Sequence, residues 1–167
     1  ASVFEEDPGE GQRKSVIVDL AAQTAAPLAR WVKDSDLLGV MGELGVTVNF
    51  WHIADAGQDS VDLLQRLIDT YGEGPNYFVV RNLGRGSDFS QLDGSPALKQ
   101  ALDLGARVIV LPQLDEGSMR KIDRQNASFW AAINARGGAD ALGMLERQRV
   151  KTWLKGAYEA LDSLPVG

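Results

Sequence analysis

Four apolar runs recur along the chain at intervals of about thirty residues, the length of a βαβ unit. They are SVIVDLA (15–21), VTVNFWHIA (46–54), NYFVVRN (76–82) and ARVIVLP (106–112). Each is too short for a helix of ordinary length and rich in β-branched or aromatic residues, so each reads as a strand. Within the runs apolar residues follow one another instead of alternating with polar ones. That pattern suits a parallel sheet covered on both faces. Between the runs the period changes to that of a helix. PLARWVKDSDLLGVMGELG reads as two short helices, SVDLLQRLIDTYG sets Val61, Leu64, Ile68 and Tyr71 on one face, and SPALKQALDLG forms a third segment. Gly45, Gly72 and Gly105 fall at the expected helix C-caps. The pattern predicts an α/β, doubly wound domain: a mostly parallel sheet, helices on both faces and right-handed crossovers.

Two longer helical stretches close the chain. SMRKIDRQNASFWAAINARG carries a seam of Met119, Ile122, Phe129 and Ile133. ADALGMLERQRVKTWLKGAYEALDSL carries one of Leu142, Leu145, Trp153, Ala157, Leu161 and Leu164. The chain divides into a polar N-terminal segment (1–14), an α/β core (15–135) and a C-terminal helix (139–164) that packs on the sheet or docks a partner.

The 167 residues carry a formal charge of −6, which argues against a surface built as a whole for nucleic acid or anionic membrane. No apolar run approaches the roughly 20 residues that span a bilayer. The chain has no cysteine, hence no disulfide framework and no thiol nucleophile, as expected in a reducing cytoplasm. GEGQRKS (9–15) superficially resembles a phosphate loop, but its glycines are too close together and a strand-like run follows it where a helix is needed.

Ligands of open α/β sheets bind at the carboxyl ends of the strands. Asp19 ends the first run beside small residues, where a carboxylate orients Mg²⁺ through water or caps a turn. His52, the only histidine, reads as a packing or hydrogen-bonding residue, and Asp55 and Asp59 as turn and cap residues. Asn82 ends the third run with an amide suited to a purine edge, or to closing a turn. Arg81 and Arg85 flank it as candidates for phosphate, nucleic acid or a partner's acid. Pro112 ends the fourth run and opens a loop with Gln113 and Leu114 that lines the same crevice. Arg120, Lys121 and Arg124 form a basic cluster on one helical stretch, and Arg147, Arg149 and Lys151 another. Both are interleaved with acids, so direct nucleic-acid binding is expected to be weak.

The order VIVDLAAQT, SDLLGVMGELGVTVNFWHIADAG, FVVRNLGRGSDF, VIVLPQL resembles the second half of a ParA/MinD-like P-loop ATPase, closest to the plasmid mobilisation and conjugal-transfer branch of TraL-like and StbC-like proteins. The likeness covers roughly residues 15–135 and implies a partial P-loop NTPase fold. It implies that Asp19 serves Mg²⁺ through water, that Asn82 contacts the base, and that Pro112, Gln113 and Leu114 line the nucleotide. The cofactors implied are ATP and Mg²⁺, the assembly a homodimer, and the work segregation or transfer of plasmid DNA. The family's KGGxGK[ST] loop is not found in the chain, so ATP hydrolysis is not expected of it alone. A fragment lacking that loop is the preferred expectation, ahead of a nucleotide-independent relative. The competing function is a non-enzymatic adaptor that docks a relaxase or DNA-binding partner, or a second copy of itself.

Overall fold

A computed structural model describes residues 15–21, 23–135, 137–138 and 140–164. It is an α/β structure with a three-stranded parallel sheet and, among the described residues, eight α-helices. The strands are β1 (Asn49–Ala54), β2 (Asn76–Asn82) and β3 (Arg107–Leu111), in the spatial order β1-β2-β3. Registered pairs such as His52–Val79 and Val79–Val108 share a face, because side chains alternate along a strand.

The crossover from β1 to β2 is α3 (Gln58–Tyr71), and that from β2 to β3 is a 3-10 turn (Leu83–Arg85), α4 (Ser90–Asp93) and α5 (Pro96–Asp103). These helices form because their boundaries are well signalled. Ser95 caps α5 by accepting from the Leu98 amide at 3.0 Å, with Pro96 in the first turn. Gly72 stops α3 at φ 55°, and Gly45 and Gly105 also take positive φ, as their expected capping role requires. α3, α4 and α5 cover one face of the sheet. Val61, Leu64, Ile68, Leu92, Leu98 and Ala101 bury against Ala54, Tyr77 and Val79. Phe50 stacks on Tyr71 with ring centroids 4.4 Å apart.

A second apolar cluster joins α6 (Glu116–Arg124), α7 (Phe129–Asn134) and α8 (Met144–Asp162). Leu114, Ile122, Ala132, Leu142 and Val150 form its centre, and Met119, Phe129, Ile133 and Trp153 pack around it. The seam expected for 118–137 is present, but the single helix is not. Asn126 at φ 47° ends the first piece, and Ser128 starts α7 by accepting from the Ala131 amide at 3.1 Å. α8 likewise begins only at Met144, where Glu146 accepts from the Gly143 amide at 2.7 Å. Of its expected seam, Leu145 is instead exposed, and Val150 takes the central place.

Two further expectations are corrected. Residues 15–21 form no strand: Val16, Ile17, Val18 and Leu20 are exposed, Ile17 to 96%, and the segment pairs with none of the three strands. α1 (Ala25–Asp34) and α2 (Leu37–Glu43) follow as two short helices, as expected. Nor is the sheet covered throughout on both faces. Opposite the α3 side, Phe78, Val80 and Ile109 are buried and α8 lies against β3, yet Trp51 and Ile53 of β1 are exposed. Consecutive apolar residues arise from burial on both faces, but they do not name the element that supplies the second cover.

Candidate functional site

The carboxyl ends of the strands bring three loops to one edge. Register pairs Ala54 with Arg81 and Asn82 with Leu111, so the β1–α3 loop, the segment after β2 and the Pro112–Asp115 loop are neighbours. The first two loops touch. A Cβ built on Gly86 would lie 2.6 Å from Ala56 Cβ, and Gly86 itself sits at φ 128°, so only glycine allows this approach.

Asn82 caps the 3-10 turn, its Oδ1 accepting from the Gly84 amide at 3.0 Å. The turn-closing role is therefore filled, and Nδ2 with the second lone pair of Oδ1 is the chemistry left for a ligand. Asp55 folds its own loop by accepting from the Gly57 amide at 2.9 Å, and the Asp55 amide donates to Ser60 Oγ at 3.1 Å. Ser60 Oγ lies 3.4 Å from His52 Nε2. Burial of the His52 ring lowers its pKa from the usual 6.5, against the opposing influence of Ser60 and the Asp55 charge. His52 is thus a neutral, hydrogen-bonding residue of the α3-covered face.

Arg81 projects from the same face and forms an ion pair with Asp93 of α4, while its buried Nε has no partner among the described residues. The guanidinium is committed to holding α4 against β2. An open depression of about 590 Å³ starts at Asp93 and runs along Ser95, Pro96, Lys99 and Leu102, touching none of Asn82, Pro112, Gln113 or Leu114.

In the third loop the Pro112 carbonyl accepts from Trp153 Nε1 at 2.7 Å, which ties α8 to the end of β3. Gln113 is exposed at the edge, whereas Leu114 turns into the second apolar cluster and is nearly fully buried. Asp115 caps α6. Both the amide and the hydroxyl of Ser118 donate to its Oδ2, at 2.9 and 2.8 Å, and they hold its carboxyl below the ordinary range.

The sequence-predicted site residues therefore separate. Asn82, Pro112 and Gln113 meet at one edge, and Arg81 stands beside them but is paired. Arg85 is exposed in the turn after Asn82. Asp19 is exposed in the unpaired segment and does not stand at the end of a strand. The basic cluster on α6 is largely answered by acids: Arg120 by Glu116 at 3.5 Å, Lys121 by Glu146 at 2.8 Å and Arg124 by Asp140 at 3.2 Å. Lys121 and the Gly143 amide together hold the Glu146 carboxyl below its ordinary value. Among the described residues no group of three or more histidine, aspartate or glutamate side chains is set to hold a metal ion. No described helix is long and apolar enough to cross a membrane.

Sequence reasoning missed the Gly86–Ala56 contact and the Arg81–Asp93 pair. The run of glycines at 84 and 86 was the available sign of a close approach; nothing in the spacing pointed to Asp93. Compared with protein-family models, with curated proteins and with solved structures, the chain has no match in any of the three.

Proposed function

We propose that the chain is a plasmid mobilisation, conjugal-transfer or partition protein of the ParA/MinD-like ATPase type, and that its carboxyl edge takes the base side of a nucleotide. The observation that supports this reading is the register of Asn82 with Leu111, which brings the end of β2 beside the residue that precedes the Pro112–Gln113 loop, at the ends of parallel strands. ATP is the nucleotide and Mg²⁺ its counterion in this reading. Asn82 fits the base in part, with Nδ2 as donor and one lone pair of Oδ1 as acceptor. Leu114 supports the loop from within the core and does not face the ligand. Asp19 does not stand at this edge, so no step is assigned to Mg²⁺ here. The chain supplies no glycine-lysine cradle for the phosphates, and hydrolysis requires one from another segment.

Calorimetric titration with ATP, GTP and UTP in the presence of Mg²⁺ tests the base site. Purine binding that weakens about tenfold in Asn82→Ala, the worth of one hydrogen bond of about 1.4 kcal/mol, is the expected result. Equal affinity for purine and pyrimidine, or an unchanged Asn82→Ala, overturns it.

A second reading, the non-enzymatic adaptor, is favoured by Trp130, Met144 and Leu145, which are exposed on the helices of the second cluster. Under that reading Met144→Glu abolishes self-association or relaxase binding in sedimentation experiments, while nucleotides have no effect.

A further inference from the structure

The outer edge of β1 is the least protected part of the sheet. The Val48 carbonyl accepts from the Asn76 amide at 2.9 Å. Backbone groups alternate in direction along a strand, so Phe50, His52 and Ala54 face β2, while Asn49, Trp51 and Ile53 turn their N–H and C=O groups outward. Among the described residues no hydrogen bond reaches these outward groups. Nor does β1 carry the devices that keep such an edge from other strands: Asn49–Ala54 contains no lysine, no proline and no acid. β3, at the other edge, begins with Arg107 and runs into Pro112.

An apolar strip borders the β1 edge on both sides of the sheet. On one face Trp51 and Ile53 are exposed. On the other lies α3, whose Gln65 donates to Gln100 of α5 at 2.8 Å and so marks the side of the helix that faces α5. At about 100° per residue, Leu63 and Leu67 stand on the opposite side, toward the free edge. Leu63 is 54% exposed there, although Val61 and Leu64 beside it are buried. None of these four side chains is charged, in a chain whose formal charge is −6.

We propose that this edge pairs with the β1 edge of a second copy of the chain, antiparallel about a two-fold axis normal to the sheet, so that two three-stranded sheets become one of six strands. Such an axis keeps each face on its own side, and a residue can stand opposite only residues of its own face. Two centres leave five residues paired. With Trp51 opposite its own copy, Ile53 faces Asn49. With His52 opposite its own copy, Trp51 faces Ile53 twice, and the outward backbone groups of these residues form the hydrogen-bonded pairs. The second register matches aromatic with β-branched side chains and is the one assigned. The same rotation brings the two α3 helices together. α3 joins β1 to β2 and lies over their seam, so with strands about 4.8 Å apart its axis comes about 10 Å from that of its copy, a helix-packing distance with Leu63 and Leu67 at the contact.

A second copy satisfies the backbone edge and both apolar borders at once, and two acidic chains meet where neither presents charge. The strip is about 20 Å long and, as a sheet with one helix layer, about 20 Å high; over both copies this is on the order of 1,000 Å², where specific interfaces begin. That size suits a reversible dimer with a dissociation constant in the micromolar range. The interface lies along the side of the sheet and needs no nucleotide, so it is independent of what the carboxyl edge binds.

Sedimentation equilibrium of the full chain without nucleotide is expected to show a mass that rises from 18.1 kDa toward twice that value between about 1 and 100 μM. Ile53→Lys, at an exposed position, should keep the parent circular dichroism and raise the dissociation constant at least about tenfold, whereas Met144→Glu on α8 leaves it unchanged. Cross-linking reads the register, since the chain has no cysteine of its own. Hydrogen-bonded antiparallel partners have Cα atoms about 5.5 Å apart, within disulfide reach, and positions two residues out of register lie beyond about 7 Å. A mixture of Trp51→Cys and Ile53→Cys chains should therefore give the mixed disulfide on mild oxidation, while neither variant bridges to its own kind. A mass of 18.1 kDa at every concentration overturns the proposal. So does a dimer that Ile53→Lys leaves intact or Met144→Glu abolishes, a bridge formed by Trp51→Cys alone, or a mixture that does not close.

Discussion

Replacing Gly86 by alanine is the sharpest perturbation of the carboxyl edge. Two separate costs are built into the position. At φ 128° and ψ 159° the backbone lies in a region open essentially to glycine alone, and an L side chain there costs about 1–3 kcal/mol. The added methyl would meet Ala56 Cβ at 2.6 Å, where about 3.5–4.0 Å is comfortable, and overpacking of this kind costs about 1–3 kcal/mol more. Gly86→Ala is therefore expected to destabilise by about 2–6 kcal/mol. The two costs separate in a double substitution. Ala56→Gly removes the methyl that Gly86→Ala would strike but leaves the backbone penalty untouched. The double variant should recover about 1–3 kcal/mol of steric loss, less up to about 1 kcal/mol for the new glycine. Urea denaturation followed by circular dichroism gives all four stabilities and the coupling between the sites. A loss below about 0.5 kcal/mol in Gly86→Ala is within the range of an ordinary surface change and would refute the close approach of the two loops.

Other expectations follow from the core, the clamps and the titrating groups. Leu64→Ala, in α3 and fully buried, should cost about 2–5 kcal/mol in the same denaturation assay, and a loss under 1 would mean that α3 does not seal the sheet. Trp153→Phe keeps an aromatic ring beside Phe129 but removes the donor to the Pro112 carbonyl; about 1 kcal/mol should be lost, together with slowed-exchange protection around the middle of α8. Glu146 has a lowered pKa in the folded chain, so its contribution is present above the ordinary value of 4.5 and is lost as pH falls through the lower, folded value; the stability gap between the protein and Glu146→Gln should close on acidification below pH 4.5. His52 is held neutral by burial. The unfolded chain takes up more protons below the ordinary 6.5, so stability falls as pH drops through that value, and His52→Gln should flatten that part of the thermal-unfolding profile.

Periodicity served well where an element is stabilised by its own sequence or by neighbours close along the chain. β2 runs over Asn76–Asn82 as the apolar run indicates, and the α3 face of Val61, Leu64 and Ile68 is buried with Tyr71 stacked beside it. It served poorly where a partner decides. Val16–Val18 has strand composition, but hydrogen bonds to another strand are needed to make it one, and no local signal names that strand. Likewise the seam from Met119 to Ile133 continues through Asn126 and Ser128, and only the competition between helix propagation and the Ser128 cap breaks it. At the candidate site, Asn82 shows that a turn-closing residue and a ligand-facing residue can be one side chain. Leu114 carries no mark in the sequence that it turns inward, because its burial is created by α6 and α8.

The order of the strands has a further consequence for how the chain assembles. Among the described residues each strand lies beside the one before it, Asn49 with Asn76 and Phe78 with Arg107, with no later strand inserted between earlier ones. On a ribosome, β2 therefore emerges when β1 is already available to receive it, and β3 when β2 is, so the hydrogen-bonded ladder grows in the direction of synthesis. The loops that must close are all of one βαβ length, which keeps the entropic barrier to each addition low and the folding of the sheet stepwise and fast for a parallel topology.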